Sequence, residues 1–128
     1  MKENVLADKS KAFALRIIKL YEYLNKKKHE TVLSKQLLRC GTSIGANAKE
    51  GAYAQSKADL TSKLFIAQKE CAETEYWLEI LFESGYIGWD TFDSRYGDCQ
   101  ELMRLLVAST KTLQGKNSDQ EKLLLITN

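Results

Sequence analysis

The sequence predicts an all-α protein, an antiparallel up-down-up-down four-helix bundle. Three observations carry that prediction. Apolar residues recur at 4-3 spacing in four separate segments, cap residues or glycines fall between the segments, and the chain has no proline to interrupt a helix. A length of 128 residues suits one domain around one core, spanning residues 1–128.

The first helix is expected over about 9–27. Phe13, Ile17, Leu20 and Leu24 share one face, and the run Lys26-Lys27-Lys28 places cations where a helix dipole ends negative. The second is expected over about 35–55, with Ser34 as its N-cap. Its stripe of Leu37, Gly41, Ile44, Ala48 and Gly51 is rich in small residues, and Gly45 lies one turn from Gly41. A helical glycine costs about 1 kcal/mol relative to alanine, so this stripe implies close approach by a neighbouring helix or a local kink.

The third helix is expected over about 57–84. Ser56 and Asp59 open it as an imperfect capping box. Leu60, Leu64, Ala67, Cys71, Thr74, Leu78 and Leu81 form its stripe, and Gly85 closes it. The fourth is expected over about 91–114, from Asp90 to Gly115, with Phe92, Tyr96, Cys99, Met103, Leu106, Thr110 and Leu113 facing inward. Residues 115–128 then read as a flexible tail, a polar linker followed by the apolar run Leu123–Ile126. Short connections between such helices favour antiparallel neighbours.

Charge is divided unevenly along the chain. Residues 1–63 hold 13 Lys/Arg against 6 Asp/Glu, a net +7, while residues 64–128 hold 6 against 11, a net −5. The basic half could meet nucleic acid, or the acidic half of a neighbouring copy. Apolar residues also fall outside the stripes: Leu15 and Ile18 on the first helix, Phe65, Ile66, Tyr76 and Ile80 on the third, Leu102 and Leu105 on the fourth. A wide core-facing stripe accounts for those beside a seam. Phe65, Ile66, Tyr76 and Ile80 are candidate oligomer contacts. Basic and acidic faces meeting head to tail would close a homo-oligomeric ring.

Catalytic and metal chemistry find little support. His29 is the sole histidine, so the Glu-x-x-His pairs of di-iron bundles are missing. Cys40, Cys71 and Cys99 show no metal-ligand spacing and read as buried free thiols of a reducing compartment. The helical glycines do not form a phosphate loop, which needs a preceding strand and a Gly-Lys-Ser/Thr ending. No cofactor, metal or small-molecule substrate is expected, and the chain reads as a non-enzyme. No run of about 20 apolar residues could span a bilayer, and the start of the chain lacks a signal-peptide run, so no membrane association and a cytoplasmic location are expected. Ser43, Asn47 and Glu50 lie along one helical face; an interhelical hydrogen-bond cluster that fixes register is their expected role, and a functional surface is the alternative.

The stretch Ser34-Lys-Gln-Leu-Leu-Arg-Cys-Gly-Thr-Ser-Ile-Gly-Ala-Asn-Ala-Lys-Glu-Gly51 resembles the signature of the 23S rRNA-intervening-sequence proteins, the S23 ribosomal protein-like family of four-helix bundles. That family shows Gln-Leu-x-Arg followed by Ser-Ile-Pro-Ala-Asn-Ile-Ala-Glu-Gly. The matching positions are Ser43, Ile44, Asn47, Glu50 and Gly51, with Phe65–Glu75 and Gly85-Tyr86-Ile87 similar downstream. Gly45 departs from the family's usual proline, and Lys49 from a commonly small residue. The resemblance implies the bundle and a largely undefined activity; the ribosomal label follows gene position. It also implies kinship with the accessory variability proteins of diversity-generating retroelements, which form pentameric barrels with a basic surface and bind nucleic acid and a reverse transcriptase.

Two functions stay open. One is a ring, such as a pentamer, that binds structured RNA or DNA through the phosphates, with Arg16, Lys19, Lys26, Lys27, Lys28, Lys35 and Arg39 as candidate contacts. The other is a protein-interaction scaffold with another protein as partner, its basic half spent in subunit interfaces.

Overall fold

The computed structural model describes the backbone of residues 4–127 and the side chains of residues 4–115. Within it four helices follow one another: α1 Val5–Lys27, α2 Leu33–Gly51, α3 Lys57–Glu83 and α4 Trp89–Thr127. Each packs on the next, and α4 returns to α1 across the lightest of the four seams.

Cross-helix pairs fix the directions. Residue numbers fall on one helix as they rise on its neighbour: Gly41 lies on Ile17 and Gly45 on Ser10, while Arg39 reaches Glu70 and Lys63 reaches Glu50. Glu79 accepts from Tyr96 and Gln68 donates to Thr110, and Lys9 pairs with Glu101. Every neighbouring pair is antiparallel, the expected up-down-up-down order.

The buried core matches the expected stripes on α1, α2 and α3, from Phe13, Ile17, Leu20 and Leu24 through Leu37 and Ile44 to Leu64, Ala67, Cys71, Leu78 and Leu81. On α4 the stripe differs. Leu102, off the stripe by sequence spacing, is 1 % exposed, and Met103 is only half-buried. At 3.6 residues per turn both positions lie near the seam, and packing chose 102. The small residues of α2 do let α1 approach closely: a Cβ at Gly41 would sit 3.0 Å from Ile17 Cγ2, and one at Gly45 3.2 Å from Ser10 Oγ and 3.4 Å from the Ser10 backbone oxygen.

Helix ends show where local chemistry overrules pattern. Ser34 is not the N-cap of α2 but lies inside its first turn, because the helix begins at Leu33. The same helix stops at Gly51 rather than near Gln55; the Gln55 amide instead donates to the Asp59 carboxylate (3.1 Å), and Asp59 N–H donates to Ser56 Oγ (3.0 Å) at the start of α3. Gly85 closes α3 as expected, with φ +87°. Tyr86 N–H donates to Leu81 O at 2.9 Å and Gly85 N–H to Phe82 O at 3.1 Å, the paired bonds of a Schellman motif. Gly115, in contrast, does not end α4, which continues to Thr127. Glycine stops a helix by adopting a left-handed conformation, and Gly115 lacks the positive φ that Gly85 has. The expected flexible tail from 115 is thereby replaced by helix, while the side chains of its apolar run Leu123–Ile126 lie outside the described residues.

Candidate nucleic-acid interface

The seven candidate cations separate into two groups. Arg16 and Arg39 stand mid-helix, and both are engaged. Arg16 crosses from α1 to α4, donating to the Asp98 carboxylate and, at 2.7 Å, to Ser94 Oγ. Arg39 crosses from α2 to α3, donating to Glu73 and to Glu70. Glu73 also accepts from Trp77 Nε1 at 3.0 Å. The hydrogen bond from Arg39, then that from Trp77, holds the Glu73 carboxyl below its ordinary range, and Glu73 in turn raises the Arg39 guanidinium.

The lysines behave differently. Lys19, Lys26, Lys27, Lys28 and Lys35 are all exposed, and none has an ion-pair partner among the described residues. Lys26 and Lys27 occupy the last turn of α1, Lys28 is its C-cap, and Lys35 lies in the first turn of α2. Four of the five therefore converge at one corner of the bundle.

That corner is pinned by a residue that no sequence pattern singled out. Between the helices, His29 takes a positive φ of 54°, which turns the chain so that Glu30 points inward, 7 % exposed. The Glu30 carboxylate accepts from the backbone N–H groups of Val32 (3.2 Å), Leu33 (2.9 Å) and Ser34 (2.7 Å). Burial alone would raise its pKa; the amides of Leu33, Ser34 and Val32 outweigh that and leave it below the usual carboxylate value. Glu30 thus does the capping that was expected of Ser34. Ser34 Oγ donates to Glu30 O (2.9 Å) and accepts from Asn25 Nδ2 (3.2 Å), tying the turn to α1.

The motif face of α2 does not form the expected interhelical cluster. Ser43 Oγ donates to Arg39 O (2.7 Å) and Asn47 Nδ2 to Ser43 O (2.8 Å), both within α2 itself. Short polar side chains on a helix readily satisfy themselves on the preceding turn. Only Glu50 crosses, accepting from Lys63 Nζ at 2.7 Å. Ile44 is core, and Gly51 is buried where a Cβ would meet Leu60 Cδ1 at 3.1 Å.

Of the candidate oligomer contacts, Phe65 and Ile66 (38 % each) and Tyr76 (53 %) are exposed, as are Leu15 and Ile18 on α1. Ile80 is half-buried and so less available than its sequence position suggests. The three cysteines are free and buried. Burial pushes the Cys40 thiol up to about 11, and Cys71 together with burial pushes Cys99 higher still, far from nucleophilic thiolates. Among the described residues no group of His, Cys, Asp or Glu is placed to hold a metal, and no helix is long and apolar enough to cross a membrane.

These features define a four-helix-bundle protein. The chain belongs to the 23S rRNA-intervening sequence protein family, whose model matches residues 2–108. It is also similar to a crystal structure from Bacteroides thetaiotaomicron, a protein of unknown function from the S23 ribosomal protein family. The two share 50 % sequence identity with a TM-score of 0.83, over 84 % of this chain and 99 % of that one. No curated protein matches the sequence.

Proposed function

We propose that this protein is a non-enzymatic, cytoplasmic, ring-forming oligomer, such as a pentamer, that holds structured RNA or DNA through phosphate contacts at the lysine corner. The observation that carries this reading is the convergence of Lys26, Lys27, Lys28 and Lys35, exposed and without ion-pair partners among the described residues, on a turn fixed by Glu30. A fixed array of ammonium groups suits phosphates and reads no base edges. Exposed Phe65, Ile66 and Tyr76 on α3, with Leu15 and Ile18 on α1, supply the apolar area for subunit contacts.

A second reading, a protein-interaction scaffold, draws on Arg16 and Arg39. Their charge is already spent on carboxylates of the same chain, which narrows the basic surface. The deciding experiment titrates a short structured RNA at several salt concentrations while solution mass is followed. A ring whose affinity falls steeply with salt supports the nucleic-acid reading. Absent or salt-insensitive uptake leaves the scaffold, and a monomer removes the ring.

A further inference from the structure

Two exposed aromatic rings stand among the free cations. Trp89, the first residue of α4, is 58 % exposed, and Tyr23 on α1 is exposed as well. The register of the α1–α4 seam brings them to one level. Lys9 pairs with Glu101, and Arg16, one heptad on, donates to Ser94 and Asp98. One further heptad along α1 reaches Tyr23, within about 20° of the same face. The same step back along antiparallel α4, from 94 and 98, reaches residues 87–91, with Trp89 at their centre.

The indole is held from behind. It meets Phe82 edge-on (centroids 5.8 Å apart, planes at 63°) and Phe92 at a tilt (5.8 Å, 41°), while Phe92 stacks on Phe82 (4.8 Å, 22°). Cations bracket the two rings. Lys26 and Lys27 lie three and four residues beyond Tyr23 and Lys19 four before it, all neighbours of Tyr23 on the helix surface. All three lysines are exposed and without ion-pair partners among the described residues. On α4, Arg95 stands level with Lys19 by the same register, and its Nε is buried without a hydrogen-bond partner. The acid near it, Asp98, already accepts from Arg16. Burial first, then the charge of Arg16, lowers the Arg95 pKa, so two guanidinium groups face one carboxylate. Nearby acids lie to either side: exposed Asp90 and Asp93 on α4, and Glu22 on the Ile18 side of α1.

We propose that Tyr23 and Trp89 form a stacking platform for an unpaired base of the bound nucleic acid. Its flanking phosphates lie on Lys19 and Arg95 to one side and on Lys26 and Lys27 to the other. This inference rests on the nucleic-acid reading and sharpens it: the ligand is a loop, bulge or end with unstacked bases, not a plain duplex. Every base has a face that stacks on an aromatic ring, so such a site holds single strands without reading their sequence.

The test titrates the full chain with an RNA hairpin and a DNA hairpin of the same loop sequence, and with a blunt duplex of equal length. The hairpin bound more tightly identifies the sugar. Trp89→Ala and Tyr23→Ala should each weaken that hairpin about tenfold. Their salt slope should stay unchanged, because no phosphate contact is lost, and so should duplex affinity and helical signal. Trp89→Phe, which keeps a ring, should retain most of the affinity. Arg95→Gln should instead reduce the magnitude of the salt slope by about 1. Wild-type hairpin affinity in both alanine variants would overturn the platform, as would equal losses on hairpin and duplex or an unchanged slope for Arg95→Gln. A lowered solution mass in the alanine variants would overturn it too, since the rings would then be a subunit contact. Each of these outcomes leaves phosphate binding at the lysine corner standing. A wild type that takes up none of the probes removes the nucleic-acid reading itself, and the platform with it.

Discussion

The lysine corner and the arginine waist carry the same formal charge sign in the same half of the sequence, yet they are different objects. At the waist, Arg16 and Arg39 lie along seams where the neighbouring helix presents Asp98, Glu70 and Glu73. At the corner, Lys26, Lys27, Lys28 and Lys35 surround a turn whose own carboxylate, Glu30, is turned inward onto backbone amides. Net charge along a sequence therefore overstates the surface available to a polyanion. What counts is whether packing sets an acid across the seam.

The largest expected effect strikes that contrast directly. Reversing three corner charges with Lys26→Glu, Lys27→Glu and Lys28→Glu should lower RNA affinity about a hundredfold or more near 0.1 M salt. It should also reduce the magnitude of the salt slope by roughly 3, about one for each phosphate no longer neutralised. Replacing Arg16 and Arg39 by Gln should change both quantities little. Equal reductions from the two sets, measured by titration at several salt concentrations, would erase the distinction between corner and waist.

Next in size is the tether beneath the corner. Glu30→Gln keeps the shape of the side chain but removes the charge that three amides address, and should cost about 1–2 kcal/mol of stability at neutral pH. The sign follows from the depressed pKa of Glu30. Its contribution is fully present above the ordinary carboxylate value of 4.5 and is lost as pH falls through the lower, folded value. Denaturant melts of wild type and variant should accordingly converge in acid. A constant gap down to the most acid pH would mean that the turn is held by something other than the ionised carboxylate.

How much of this was legible beforehand depends on sequence distance. The stripes of α1, α2 and α3, the close approach at Gly41 and Gly45, and the caps at Ser56 and Gly85 follow from periodicity and local conformational preference. Partners of Arg16 lie 82 and 78 positions away, and those of Arg39 are 31 and 34 positions away; no local pattern announces them. Glu30 escaped for a different reason: its capping depends on the left-handed turn at His29, an uncommon conformation outside glycine. Leu102 took the core position expected of Met103 because 4-3 spacing leaves adjacent positions nearly equivalent. Ser43 and Asn47 suggested cross-helix bonding only because their types are polar, whereas their reach ends on their own helix.

The smallest expected effect is the one that tests the waist on its own terms. The Arg39 side chain is 50 % exposed and that of Glu73 35 %, so solvent screens the pair, and Arg39→Gln should cost no more than about 1 kcal/mol. Its functional consequence has a sign that stability does not reveal. If Glu70 and Glu73 are what keep Arg39 from phosphates, then Glu70→Gln with Glu73→Gln should raise RNA affinity severalfold, and adding Arg39→Gln should cancel the gain. Removing two negative charges also strengthens binding non-specifically, which Glu83→Gln with Asp93→Asn, away from Arg39, would reproduce. A gain in the first pair that Arg39→Gln fails to cancel assigns the effect to bulk charge and leaves Arg39 a strut between α2 and α3; a cancelled gain makes it a latent phosphate ligand held in check by its own chain.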